Sequence, residues 1–196
     1  MNKKNILILF IILLFPPLYS QYIYSENINE LLNSKNRKLY TDFVAVRISP
    51  YLKKPKISSG YIVADGDRFV FKQIEPVKME IRQKNGLLTI KLPGNSEIVI
   101  DSNSNEYSDD VMFLFDTNFD FNDNFITKKY IINSKNHYEL VPTKPKLAKK
   151  ISLISLVVIE DRLESMKLTF KNNSTIMYEF KNTVVGVTPN EELFGE

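Results

Sequence analysis

The 196-residue chain has a single histidine, His137, and no cysteine. Disulfides, thiolate metal sites and a cysteine nucleophile are therefore excluded. His137 falls in "SKNHY", read as a turn, with no second histidine to share a metal or relay a proton, so a surface histidine is expected. The run "DTNFDFNDN" alternates Asp116, Asn118, Asp120 and Asn122, oxygen donors that could hold calcium. It lacks the glycine and terminal glutamate of an EF-hand loop and sets Phe119 and Phe121 together on the other side, and it reads as a solvated loop or edge. No Gly-x-Ser-x-Gly elbow is present. The expectation is a protein that is not an enzyme and uses no cofactor and no metal. The chemistry left is apolar: in "GYIVADGDRFVFKQIEP", alternation places Phe69 and Phe71 on one face and Arg68 with Lys72 on the other.

The elements that would position those rings are strands. "YTDFVAVRIS" alternates up to Pro50, "KISSGYIVA" runs to the Asp65-Gly66 turn, and "RFVFKQI" ends at Pro76. "KMEIRQ" stops at Asn85-Gly86, "LLTIKL" at Pro93-Gly94, and "SEIVIDS" enters a polar stretch. Met79 and Ile81, Leu88, Ile90 and Leu92, and Ile98 and Ile100 share the apolar side with the two phenylalanines. Lys78, Glu80, Arg82, Thr89 and Lys91 face water. Strand patterns return with "KKYIIN", "HYELVP", "ISLISLVVIE", "SMKLTFK" and "TIMYEFKNTVV". Two short helices are expected, one at Ile28, Leu31 and Leu32 after an N-cap at Ser25, the other at Val111 to Phe115 after Ser108. "KPKLAKK" reads as a solvated basic linker, with a contact to anionic headgroups as the sharper alternative.

This is a mainly β chain of about ten strands in meander order, a curved antiparallel sheet with one apolar side. Such a face is hidden either by filling the concavity or by leaving part of it hollow for a ligand, and the pattern leaves both open. Hydrophobic residues make up 43% and charged residues 25%, a globular composition. Residues 1–20, "MNKKN", "ILILFIILLF" and "PPLYS", follow a signal-peptide pattern with cleavage after Ser20, Ser25 or an uncleaved anchor being the alternatives. Residues 21–196 then form one domain, in which 24 basic residues face 23 acidic ones. Nucleic acid is not an expected partner.

The order and separation of these segments resemble the periplasmic outer-membrane lipoprotein carrier proteins, the LolA type. The resemblance rests on "TDFVAVRIS" after a short helix, "SSGYIVA", "DRFVFKQIEP", "YELVP", "ISLISLVVIEDRLESMKLTF" and "TIMYEFKN" with a closing Phe194, and spans about Asn27 to Phe194. There are departures. Ala45 stands where the family has a Gln after the early aromatic, Phe43, and Asp65-Gly66-Asp67 replaces an Arg-Pro pair. The arginine that latches the family's lid has no secure counterpart, since Arg68 is shifted.

The resemblance implies an incomplete antiparallel β-barrel, LolA/LolB-like, covered by short helices. Its hollow would shelter the acyl chains of lipoproteins, received from an inner-membrane ABC transporter and passed to an outer-membrane acceptor. The expected protein is a monomeric chaperone exported to the periplasm. The residues expected around the acyl chains are Phe43, Ile62, Phe69 and Phe71, then Met79, Ile81 and Ile90, then Tyr178 and Phe180. The lid would come from Ile28, Leu31 and Leu32 and from Met112, Phe113 and Phe115. For each of the lining residues the plain alternative is ordinary core. The competing function is a lipid-binding or envelope-assembly protein of the same fold, with a filled core and a protein partner.

Overall fold

The computed structural model of the chain describes residues 29, 32, 38–94, 97–101 and 119–194. The expected signal peptide, Ile28, Leu31 and the Val111 to Phe115 helix with Met112, Phe113 and Phe115 lie outside the described residues. Among those described, no helix is long and apolar enough to cross a membrane.

Among the described residues, eleven strands run in chain order. They are β1 (Lys38–Ile48), β2 (Lys56–Asp65), β3 (Arg68–Glu75), β4 (Met79–Lys84), β5 (Leu87–Lys91), β6 (Ile98–Asp101), β7 (Phe125–Ile132), β8 (Lys135–Pro142), β9 (Ile151–Ile159), β10 (Arg162–Phe170) and β11 (Thr175–Val185). They form one antiparallel sheet of order β6-β5-β4-β3-β2-β1-β11-β10-β9-β8-β7, open between β6 and β7. The tight turns make the meander. Asn85 and Gly86, Asn133 and Ser134, and Glu160 and Asp161 all take positive φ, the backbone of two-residue hairpins that suits the twist of the flanking strands. The pairing of β1 with β11, Phe43 opposite Phe180, joins the two meanders. A sheet of so many twisted strands does not lie flat.

Where the chain leaves the sheet, it packs more than the alternation suggests. The segment after Phe119 is no solvated loop: α1 (Phe121–Asn124) starts at Asp120, whose side chain accepts from the Asp123 N–H. Phe121 is buried, and its ring stacks near Phe125 at 6.0 Å. Three phenylalanines at alternate positions and the turn end at Phe125 outweigh the polar residues between them. The basic linker is also corrected. Pro145 starts α2 (Pro145–Ala148), a position where its missing N–H is harmless, and Leu147 packs on the core. His137 sits within β8, not in a turn, and stacks on Tyr130 at 5.4 Å. The hairpin turn is Asn133–Ser134, beginning one residue earlier than "SKN" suggests.

Candidate functional site: the apolar inner face

The core lies on one face of the sheet, here the inner one. Cross-strand register sets its rows. One row runs Phe180, Phe43, Gly60, Gln73, Met79 across β11, β1, β2, β3 and β4. The next runs Ile62, Phe71, Ile81, Ile90. Phe43, Phe69, Phe71, Ile81, Ile90 and Tyr178 are buried in the main cluster, and Ile62, Met79 and Phe180 pack against it while partly exposed. The nine sequence-predicted lining residues thus share one face. Leu140, Ile154 and Leu168 continue the cluster across β8, β9 and β10 and are fully buried.

Gly60 divides the first row. Alongside Ile62, Met79 and Phe180, which keep solvent contact, it is the position with no side chain, and it faces Phe43 across the strand pair. A Cβ there would stand 1.9 Å from the Lys72 carbonyl oxygen, so β2 and β3 approach at this point too closely for any other residue. The register shift between Ser59 and Gly60 marks the bulge that allows it. The result is a close backbone approach in the middle of an apolar face, beside the partly exposed Ile62, Met79 and Phe180.

Of the expected lid residues, Leu32 lies among those described. Leu32 is helical and packs against the main cluster. Asn29 ties that turn to α1: its Nδ2 donates to Asp120 Oδ1 at 2.9 Å and its Oδ1 accepts from the Phe121 N–H at 2.7 Å. The Asn29 hydrogen bond, then that from Asp123, holds the Asp120 carboxyl below its usual range. Burial pushes the Tyr178 hydroxyl up to about 12, as expected for a phenol in dry surroundings.

Polar groups on this face were missed by reading alternation alone. Gln83 is buried in register with Phe69 and Leu88. On β7, Thr127 and Lys129 hold inner-face register opposite Leu140 and Tyr138, and the Lys129 ammonium lies 5.4 Å from the Tyr138 ring centroid. The Thr127 hydroxyl is buried with no hydrogen-bond partner, which costs on the order of 1 kcal/mol or more. In each, a polar residue sits at the apolar phase of its strand, a signal present in the sequence but masked by the neighbouring lysines.

Arg68 lies on the outer face. It makes two hydrogen bonds to Glu191, at 2.6 and 3.0 Å, and one to Asp65 at 3.4 Å. It latches the C-terminal 3₁₀ helix (Glu191–Phe194), not a lid. Lys72 pairs with Glu80 at 3.3 Å, and Arg82 also bonds Glu80. Burial raises the Glu80 pKa, but the two cations more than offset it and hold the carboxyl low.

No family model and no curated protein matches the chain. Solved structures do. The crystal structure of MucB superposes with a TM-score of 0.51 at 11% identity, covering 85% of this chain and 60% of that one. The likeness is one of fold. A LolA superfamily protein from Nitrosomonas europaea gives a TM-score of 0.48 at 11% identity, over 89% of this chain and 98% of that one. The open antiparallel sheet with few short helices, read from the strand order, is the architecture observed among the described residues. The chain spans a little under two thirds of the length of MucB.

Proposed function

We propose that the chain is a periplasmic carrier that shelters acyl chains of lipoproteins on its inner face and moves them from the inner to the outer membrane. The observation that supports this reading is a continuous apolar inner face on which Ile62, Met79 and Phe180 remain partly exposed. Each methylene left in water costs about 0.8 kcal/mol, so an acyl chain cannot cross an aqueous compartment bare. A shelter that must also release its cargo is served by undirected apolar contacts and by a cover held through a few hydrogen bonds, such as those of Asn29. No bond is made or broken by the protein. Loading falls to a membrane transporter, and delivery to an outer-membrane acceptor. The monomer is the working unit, exported by residues 1–20.

A second reading, an envelope-assembly protein with a filled core, draws on the close stacking of Phe43 on Phe71 at 4.7 Å. The two separate on one variant. Phe180 is partly exposed, so Phe180→Asp should leave the melting temperature within a few degrees while weakening retention of a fluorescent long-chain acyl probe by about tenfold or more. A wild-type protein that takes up no probe, or a variant that retains it as well as wild type, contradicts the carrier reading.

A further inference from the structure

The outer face of β1–β3 bears a second apolar cluster, Val63, Val70 and Phe194, flanked by Tyr40, Tyr61 and Leu193. Val63 and Val70 are the outward residues between inward neighbours, so this surface lies on the opposite side of the sheet from the proposed acyl site. Phe194 is 4% exposed although it belongs to a single 3₁₀ turn near the end of the chain. Its ring lies 4.3 Å beneath the Arg68 guanidinium, which also grips Glu191 through both nitrogens. Arginine over an aromatic ring and bidentate on a carboxylate is a recognition geometry, selective for an acid and a ring at fixed spacing. Beside Phe194 a cavity of about 310 Å³ opens, lined by Val70, Leu87 and Thr89 and by Arg82 and Lys84. The turn therefore fills only part of a larger groove that is mixed apolar and basic, with Glu97 its one acidic lining residue.

We propose that this groove is a docking site for an extended segment of a partner protein, carrying a carboxylate three residues before an aromatic ring, and that the chain's own residues 191–194 occupy it until such a segment displaces them. The tail shows the chemistry the site selects: Glu191 on Arg68 and Phe194 on Val63 and Val70. A longer segment reaches the cavity as well and buries more apolar surface than the tail does. Displacement is geometrically simple, because the tail joins the sheet through Gly186, whose N–H bonds the Lys38 carbonyl at 2.8 Å and whose φ is +82°, and through the Lys38 contact to Thr188 at 2.6 Å. The tethered tail competes at high effective concentration, so a partner must offer the additional contacts.

The test uses the intact chain and a fluorescent synthetic peptide with the sequence of residues 189–196. Phe194→Ala vacates the ring site and should bind the peptide at least tenfold more tightly than wild type, and adding Arg68→Ala should abolish that gain. A titration of the Phe194→Ala chain with unlabelled peptide follows methyl resonances. Val63 and Val70 should shift while Ile154 and Leu168 stay fixed. A Phe194→Ala chain that folds but takes no peptide, binding indifferent to Arg68, or shifts confined to the inner face overturns the proposal. Should Phe194→Ala fail to fold, Glu191→Ala at an exposed position takes its place, since the peptide then offers the carboxylate the tail lacks, and unmoved Val63 and Val70 count against the site.

Discussion

The rings of Phe43 on β1 and Phe71 on β3 stack with centroids 4.7 Å apart and planes within 16°, although β2 runs between their strands. They meet because Gly60, opposite Phe43, contributes no side chain, while Ile62, opposite Phe71, lies one row along. Such a pair adds about 1 kcal/mol beyond its buried area. One glycine thus lets the rings close the floor.

Gly60→Ala should be costly for a single methyl. The new Cβ would meet backbone, the Lys72 carbonyl oxygen at 1.9 Å, and not a movable side-chain end. The β2–β3 pairing must shift, with a loss of about 2–3 kcal/mol. Urea unfolding should show a lower midpoint with an unchanged slope. A midpoint equal to wild type would mean the strands part here without cost.

Removing the tie between cover and core should change rates before it changes stability. Asn29→Ala loses the bond to Asp120 and orphans the Phe121 N–H, for about 1–2 kcal/mol locally. Hydrogen exchange around residues 29–32 and 120–124 should accelerate severalfold, and uptake of the acyl probe should become faster. Unaltered uptake with accelerated exchange would separate this turn from gating.

Acid should loosen the tail. The hydrogen bond from Arg68 holds the Glu191 carboxyl below its usual range, with burial opposing weakly and Arg68 charge adding to the effect. A carboxyl depressed on folding stabilises fully above its unfolded value, and the contribution fades as pH falls through the lower folded value. Between neutrality and about pH 3, exchange of residues 186–194, corrected for its intrinsic pH dependence, should rise relative to β9 and β10. A uniform change across the chain would remove Glu191 from the latch.

Much of this architecture is legible in the sequence because alternation and turn chemistry are local. Asn85-Gly86 and the change of phase at each hairpin mark the strands, and Phe69, Phe71, Ile81 and Ile90 all fall on the face their period assigns. Long-range choices are not local. Nothing around Phe43 announces Phe180 as its neighbour across the β1–β11 joint. Phe121 sits among Asp, Asn and Thr, where composition argues for solvent, yet burying three rings outweighs that. Arg68 was legible as an outward residue, but its partner lies 123 positions away.

The claim on which the account turns is that the inner face holds a hydrocarbon chain in the living envelope. Native mass spectrometry of the protein purified from its own envelope in mild detergent measures this directly. A carrier gives a population heavier than the bare chain by an acylated lipoprotein or lipid, lost in Phe180→Asp. Bare protein throughout, or protein bound only to an unacylated polypeptide, would contradict it.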